Sequence, residues 1–314
     1  MSWNPIVVGV DGSPESVRAA VMGSVIAERA GTACQLVHAA PDYWTAASVP
    51  ELGIDAAELD HATVEHARTL ITSSLSGNVP PKLLEALEIK IGRAPMVLAE
   101  TAHRLGGELI VMGGKHHRGL ERIGGSTITH MVRACDLPLL ATDGGSPIIS
   151  RVLVPVDLSY AAKTAIEAGE RWARLFGAQL RLMHVVEPMP VVPGFPVTVG
   201  DDELYRAAER VLELSVWPLI DLPGAATVVR RGRAAAAIAS EATKWHADLI
   251  IVGSHGKGWV DRLLIGSTSE RLLHVLPALT LVVPVSKPSG RTRSLEVEPL
   301  PWEARAVAGS PRGG

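Results

Sequence analysis

The stretch Ile6-Val-Val-Gly-Val-Asp-Gly-Ser13 has a counterpart later in the chain, Val152-Leu-Val-Pro-Val-Asp-Leu-Ser159. Each is a short apolar run that ends in an aspartate and a serine, the pattern of a buried strand followed by a turn. A second pair, Glu108-Leu-Ile-Val-Met-Gly113 and Asp248-Leu-Ile-Ile-Val-Gly253, occurs in the same order. The first pair is offset by 146 residues and the second by 140, so the second repeat is six residues shorter in its middle. The sequence therefore predicts a duplicated domain.

Short runs of branched apolar residues alternate with longer segments of helical periodicity in each repeat. In the first repeat the runs cover residues 5–11, 33–40, 84–91 and 108–112. Continuous apolar strands that alternate with helices indicate an α/β fold, in which a parallel sheet is covered by helices on both faces. Glycine, serine and proline at 144–149 mark the boundary. We predict two domains, 1–146 and 147–287, each with a mostly parallel five-stranded sheet, and a mobile tail at 288–314.

The last strand of each repeat, at 137–142 and 279–285, is apolar and would be an exposed sheet edge if it were left bare. We therefore expect the two repeats to face each other across these strands as an internal pseudo-dimer. Whole chains are expected to pair again by the same mode, as a homodimer.

Composition places the chain among globular proteins and predicts no general attraction to polyanions. Hydrophobic residues make up 47% of the chain, and the formal net charge is −3. That charge argues against binding to nucleic acid or an anionic membrane, so an anionic ligand needs a local site. No apolar run approaches the roughly 18 residues of a membrane helix, and we find no targeting segment, so a soluble, cytoplasmic protein is expected. Cys34 and Cys135 match no metal or redox spacing and are expected to be buried free thiols.

A glycine-rich loop follows the fourth strand of the second repeat. It begins Gly253-Ser-His255-Gly256, continues through Arg262, and reaches Gly266-Ser267-Thr268-Ser269 at the start of the next helix. Two glycines three positions apart allow positive φ and close approach of the backbone to a ligand. A helix start with hydroxyls offers N–H groups and the positive end of the helix dipole. Together these features predict a cradle for phosphate groups.

The pattern of Gly, two residues, Gly, nine residues and Gly-Ser resembles the ATP-binding motif of the universal stress protein family, and the likeness extends over both repeats. The resemblance implies a Rossmann-like (adenine nucleotide alpha hydrolase-like) fold in each domain. It also implies that Val156, Asp157 and Val185 lie beside the base. The implied ribose and phosphate contacts come from the loop itself: Gly253, His255, Gly256, Arg262, Gly266, Ser267, Thr268 and Ser269. The implied cofactor is ATP, with AMP and ADP as alternatives, and magnesium would accompany ATP.

The first repeat departs from this motif, because His116 stands where the second glycine is expected. A left-handed backbone at this histidine would cost roughly 1 kcal/mol. The first repeat keeps the first glycine of the loop and the glycine and hydroxyls at the start of the next helix, and it adds three cations. Weaker or altered anion binding is therefore still possible in the first repeat. Its corresponding residues are Asp11 and Ala39 on the base side, Gly113, Gly125, Ser126 and Thr127 in the loop, and the cations Lys115, Arg118 and Arg122.

Four histidines are weighed as candidate functional residues. His116 and His117 are sequence neighbours, which seldom point at one metal ion, and no carboxylate or cysteine is spaced to join them. His38 and His184 end strands, where a hydrogen-bonded structural role is expected. The sequence thus predicts no metal site.

Three functions remain open at the level of sequence. No P-loop, dinucleotide-binding turn or hydrolase nucleophile elbow is present, so the first hypothesis is a nucleotide-binding regulatory module. The second is a weak ATPase or nucleotidyl transferase in which Asp157 or His255 positions water or metal. The third is a dimerisation scaffold whose pockets are empty.

Overall fold

The structure, a computed structural model, describes residues 3–41, 56–114, 127–142, 146–159, 161–188, 200–254 and 266–284. Each repeat contributes five strands. The first repeat contains β1 (Ile6–Gly9), α1 (Pro14–Ala30), β2 (Cys34–Ala40), α2 (Ala56–Leu75), α3 (Pro81–Glu85), β3 (Glu88–Ile91), α4 (Ala94–Arg104), β4 (Leu109–Gly113), α5 (Thr127–Ala134) and β5 (Leu139–Thr142). The second contains β6 (Arg151–Pro155), α6 (Ala161–Phe176), β7 (Gln179–Val186), α7 (Asp201–Val211), β8 (Ala226–Arg231), α8 (Ala234–Trp245), β9 (Leu249–Gly253), α9 (Ser267–Val275) and β10 (Leu279–Val283). The predicted mobile tail lies outside the described residues.

All ten strands join one sheet in the order β3-β2-β1-β4-β5-β10-β9-β6-β7-β8. Within each repeat the neighbouring strands are parallel, whereas β5 and β10 pair antiparallel, with Leu140 opposite Leu281. The predicted α/β fold and the internal pseudo-dimer are both confirmed. Because this junction is antiparallel, the strands of the first repeat and those of the second run in opposite directions, and their carboxyl ends lie on opposite sides of the molecule.

The same topology corrects the expected mode of pairing between whole chains. β5 lies between β4 and β10, and β10 lies between β5 and β9. Neither strand has a free edge, so a second chain cannot pair with them as the sequence suggested. The strands at the sheet edges are β3, which carries Glu88 and Lys90, and β8, which carries Arg230 and Arg231. Charged side chains on edge strands discourage edge-to-edge association.

Local residue chemistry explains where the first helix begins and ends. Ser13 is the N-cap and its hydroxyl accepts a hydrogen bond from the N–H of Ser16 at 3.2 Å, while Pro14 occupies the first helical position. Gly31 ends the helix at φ 64°, in the left-handed conformation that glycine adopts without steric cost.

One predicted strand begins later than the sequence suggested. The apolar run at 84–91 was expected to be a strand throughout, but α3 occupies Pro81–Glu85 and β3 begins only at Glu88. Pro81 fits the first turn of a helix because its fixed φ suits that position and its missing N–H has no intrahelical partner to lose. Leu83 and Leu84 then pack against the core from a helix instead of a strand.

The core has two layers, one on each face of the sheet. The first lies under α1, α2, α6 and the π-helical segment Leu212–Val216, and the second lies under α4, α5, α8 and α9. Glycines bring helices close to strands at equivalent positions of the two repeats. A Cβ on Gly23 would lie 2.4 Å from Val8 Cγ2, and one on Gly169 would lie 2.5 Å from Val154 Cγ2.

Side chains also connect the two repeats outside the sheet. Arg171 of α6 forms an ion pair with Glu108 at 2.6 Å and lies over the ring of Trp3 at 3.7 Å. Trp3 in turn contacts Trp172 edge to face, with ring centroids 5.8 Å apart. Among the described helices, none is long and apolar enough to cross a membrane.

Candidate nucleotide site

The carboxyl ends of β6 and β9 border a cavity of about 530 Å³ in the second repeat. The chain proceeds from β6 to β7 and β8 on one side and then returns to β9 on the other side of β6. This reversal makes the crevice between β6 and β9 the topological switch point, where open α/β sheets bind ligands.

A proline coincides with a shorter hydrogen-bond ladder at this crevice. In the first repeat β1 and β4 hold four residue pairs in register, whereas β6 and β9 hold only two, Val152 with Leu249 and Leu153 with Ile250. Pro155 of β6 has no N–H to donate to a neighbouring strand. The hydrogen-bonded register between β6 and β9 therefore ends before Pro155, and the cavity lies beyond the paired residues.

Every described residue that was predicted for the nucleotide site of the second repeat lines this cavity. The base-side group and the helix-start group come from segments far apart in the chain, and both line the same space. These residues are Val156, Asp157, Val185, Gly253, Gly266, Ser267, Thr268 and Ser269. Three further candidates, His255, Gly256 and Arg262, lie outside the described residues.

The base-side residues are held by a short hydrogen-bond network. Asp157 follows β6, and its Oδ1 accepts hydrogen bonds from both the N–H and the hydroxyl of Ser159. The Nδ1 atom of His184 lies 2.8 Å from the carbonyl oxygen of Val156, which ties the end of β7 to the end of β6. This contact confirms the structural role predicted for His184.

The opposite side of the cavity, where the sequence predicts a phosphate cradle, consists of the first turn of α9. Gly266 is the N-cap and provides no side chain to satisfy the N–H groups of Ser267, Thr268 and Ser269. Its own N–H donates to the carbonyl oxygen of Ser254 at 2.8 Å. The hydroxyl of Ser269 donates its one proton to the carbonyl oxygen of Gly253 at 2.7 Å, so that proton fixes α9 against β9. Within the described part of the chain, no hydrogen bond occupies the side chains of Ser267 and Thr268, which line the cavity.

One wall of the cavity was missed by the sequence analysis. It consists of apolar residues of α7 together with the start of α8, namely Leu204, Ala207, Ala208, Val211, Ala234 and Ile238. The α7 residues recur at the three- and four-residue spacing of a helix face. That periodicity could have identified the wall, but it could not have shown which cavity the face covers.

The charged side chains lining the described part of the cavity are acidic. They are Asp157 and Glu187, and Glu187 accepts a hydrogen bond from the N–H of Ala234 at 2.7 Å, which caps the start of α8. No lysine or arginine is among the described lining residues. Within the described lining, the N–H groups of the first turn of α9 therefore supply the partial positive charge available to an anion.

Comparison with known proteins agrees with this architecture. A family model described as the universal stress protein family matches residues 2–142 and again residues 149–284. This chain belongs to the universal stress protein family.

Individual relatives extend over one or both universal stress protein repeats. A universal stress protein from Mycobacterium tuberculosis is 28% identical over 284 residues, covering 86% of this chain and 93% of the relative. One from Thermus aquaticus is 32% identical over 134 residues, covering 42% of this chain and 96% of the relative. Among solved structures, a universal stress protein from Archaeoglobus fulgidus matches with a TM-score of 0.62 at 17% identity, covering 90% of this chain and 99% of that chain. This last likeness supports the fold alone.

The first universal stress protein repeat keeps the base-side network of the second. Oδ1 of Asp11 accepts a hydrogen bond from the N–H of Ser13 at 3.0 Å, and Nδ1 of His38 lies 2.7 Å from the carbonyl oxygen of Val10. The structural role predicted for His38 is confirmed. Ala39 lies in β2, next to His38.

The loop side of the first repeat differs from that of the second. A Cβ on Gly113 would lie 2.7 Å from the carbonyl oxygen of Glu15, so the start of α1 approaches β4 closely. Ala161 lines the cavity of the second repeat, and Glu15 stands at the corresponding position of the first repeat. The carboxylate of Glu15 pairs with Arg18 at 3.2 Å. A carboxylate on this turn disfavours a bound anion, and its pairing with Arg18 offsets part of that effect. Thr127 begins α5, and the other loop candidates, Gly125, Ser126, Lys115, His116, His117, Arg118 and Arg122, lie outside the described residues.

The two cysteines are free thiols, but both are half-buried and not fully buried as expected. Burial raises the pKa of the Cys34 thiol to about 12. A thiol with such a pKa is protonated at neutral pH and unreactive.

Proposed function

We propose that the second repeat binds an adenine nucleotide, with ATP as the ligand, and that occupancy of this site regulates the conformation or partners of a stress-response protein. The observation that carries the proposal is the convergence of Asp157, Val185 and the Gly266–Ser269 turn on one cavity. The base would lie against β7 and the apolar face of α7. The phosphates would lie at the start of α9, where N–H groups and hydroxyls can donate to them.

Magnesium fits this proposal as a companion of ATP. Asp157 and Glu187 both line the cavity, so a triphosphate would enter a space that already holds negative charge. A divalent cation would neutralise part of the phosphate charge. AMP and ADP carry less charge and are the alternative ligands.

The arrangement favours binding over catalysis. The carboxylate of Asp157 forms the turn at the end of β6 through Ser159, and His184 is tied to the carbonyl oxygen of Val156. The side chains of Asp157 and His184 therefore both stabilise the local structure through hydrogen bonds. Steady phosphate release by the purified protein would support the alternative, a weak ATPase or nucleotidyl transferase.

The direct test is calorimetric titration of the full chain with ATP, ADP, AMP and cyclic AMP. The double variant Ser267→Ala, Thr268→Val removes two hydroxyls from the start of α9 and should weaken ATP binding by about tenfold or more, since a hydrogen bond to a charged group contributes roughly 1.5–3 kcal/mol. Thr127→Val makes a similar change at the start of α5, in the first repeat. It should leave the affinity of the second repeat for ATP unchanged. Absence of binding by any of the four nucleotides would favour the third hypothesis, an empty scaffold.

We also propose that the protein forms homodimers in the cytoplasm. Because β5 and β10 are paired within one chain, a homodimer must use another surface. Light scattering of the purified chain tests this, and a monomeric mass at micromolar concentration would refute it.

A further inference from the structure

Three potential metal ligands meet on the surface of the first repeat, away from the nucleotide cavity. His103 lies in the last turn of α4, and Cys135 and Asp136 follow α5 directly. One ligand atom from each residue lies within 4.8 Å of the other two. The Nε2 atom of His103 is 3.1 Å from Oδ1 of Asp136. The sequence analysis missed this group because the packing of α4 against α5 brings its members together.

The group has the chemistry of a site for a borderline-soft metal. Thiolate, imidazole and carboxylate are the three kinds of side chain that bind zinc, at about 2.0–2.3 Å from the ion. Ligand atoms around such a tetrahedral ion are therefore about 3.5 Å apart. The observed separations are at most 4.8 Å, so the largest excess over that value is about 1.3 Å, a gap that rotation of the exposed side chains of His103 and Asp136 can close. A thiol in the set disfavours magnesium and calcium, which prefer oxygen ligands.

The second repeat shows that the fold itself does not require these side chains. Its corresponding surface, between the ends of α8 and α9, carries Thr243, Leu276 and Pro277. The same packing is thus built there without histidine, thiol or carboxylate. His103 is 55% exposed and Asp136 is 79% exposed, so the burial of apolar area does not account for either residue.

We propose that His103, Cys135 and Asp136 bind a divalent transition-metal ion of the zinc type, with solvent completing its coordination. The thiol proton of Cys135 passes to solvent when the sulfur–metal bond forms, so the charges balance. The contact between His103 and Asp136 is replaced by one bond from each group to the ion. A bound ion would link the ends of α4 and α5.

Cobalt(II) titration of the full-length, untagged chain tests the proposal, because cobalt replaces zinc and reports a thiolate ligand by charge-transfer absorption in the near ultraviolet. Wild type should show this band and saturate at one thiolate-bound ion per chain. Cys135→Ser should lose the band and bind at least about tenfold more weakly. Asp136→Asn, a change at an exposed position, should keep the band but weaken binding about tenfold.

Two control variants separate this site from other ligands. Cys34→Ala leaves Cys135 as the remaining thiol of the chain, and the band should be unchanged. His66→Ala removes an exposed histidine of α2 and should leave the affinity unchanged, whereas His103→Ala should lower it. A wild-type chain without the band, or a band that persists in Cys135→Ser, overturns the proposal. Zinc should compete with cobalt for the site, and failure to compete would also overturn it.

Discussion

At the residue scale, position 161 distinguishes the two repeats. The second repeat has Ala161 as a lining residue of its cavity, and the first has Glu15 at the corresponding place, close to Gly113. A carboxylate within about 4 Å of a phosphate costs roughly 1–4 kcal/mol, depending on the local dielectric. The difference predicts that the second repeat binds a nucleotide more tightly than the first.

The substitution Ala161→Glu should therefore weaken ATP binding by about tenfold or more through charge repulsion. Calorimetric titration measures the effect. Lys163→Gln changes the net charge by the same amount at an exposed position of the same helix and should leave the affinity nearly unchanged. Equal weakening by both variants would show that overall charge, and not the cavity, controls binding.

A second residue-level prediction concerns the buried carboxylate of Glu241. Burial alone would raise the pKa of this carboxyl, but hydrogen bonds from Arg181 at 2.7 Å and Arg230 at 2.9 Å, with their positive charges, hold the pKa below its ordinary value. A carboxyl whose pKa is lowered on folding stabilises the protein above the pKa of the unfolded chain. That stability is lost as the pH falls through the folded value.

Glu241→Gln should lower the free energy of unfolding by about 2 kcal/mol at neutral pH, because two arginines lose their counter-charge. The difference from wild type should shrink as the pH falls from the ordinary pKa of a glutamate through the lower pKa of the folded protein, where the wild-type carboxylate also becomes neutral. Urea unfolding between pH 7 and pH 3 checks this. Glu167→Gln, at an exposed ion pair on α6, should change stability by less than about 0.5 kcal/mol.

At the element scale, the close approach of α6 to β6 depends on Gly169. Alanine is the better helix former by about 1 kcal/mol. A Cβ at this position, however, would lie 2.5 Å from Val154 Cγ2 and 3.2 Å from Leu180 Cδ1, and such overpacking costs about 1–3 kcal/mol. We expect the steric term to exceed the gain in helix propensity.

Gly169→Ala should therefore reduce stability in thermal or urea unfolding, by up to about 2 kcal/mol. Combining it with Val154→Ala should cost less than the sum of the two single changes, because the smaller strand residue makes room for the new methyl group. Strict additivity in this double-mutant cycle would contradict the steric explanation.

The elements themselves were predictable to different degrees. Ser13 and Pro14 mark the start of α1 and Gly31 marks its end through local chemistry, so the bounds of this helix follow from nearby residues alone. The strand predicted at 84–91 was wrong in its first half. Apolar leucines suit both a strand and a short helix, and only Pro81 favours the helix. The wall that α7 forms depends on tertiary packing, which a helical periodicity does not specify.

At the scale of the whole molecule, the two repeats form one continuous sheet. The sequence predicted the β5–β10 junction because both strands are apolar, but it could not show that each would already have a neighbour on both sides. The residues that it proposed for the second site, Asp157 from the family resemblance and the Gly266–Ser269 turn from motif spacing, line one cavity. The sequence missed the group at His103, because that group depends on how two helices pack.

Side-chain contacts that join the two repeats outside the sheet should contribute measurably to the free energy of unfolding. Arg171→Ala removes both the ion pair with Glu108 and the stacking over Trp3, and we expect a loss of about 2 kcal/mol in urea unfolding followed by tryptophan fluorescence. Lys163→Ala, which removes a weak surface pair on the same helix, should have an effect below about 0.5 kcal/mol. Similar losses in the two variants would contradict the role assigned to Arg171.

The central claim is that the cavity between β6 and β9 holds an adenine nucleotide with its phosphates at the start of α9. A crystal structure of the full chain grown with ATP and magnesium tests it most directly. We predict density for the base beside Val185 and for the phosphates against Ser267 and Thr268. A nucleotide bound elsewhere, or a cavity that stays closed at saturating ATP, would contradict the account.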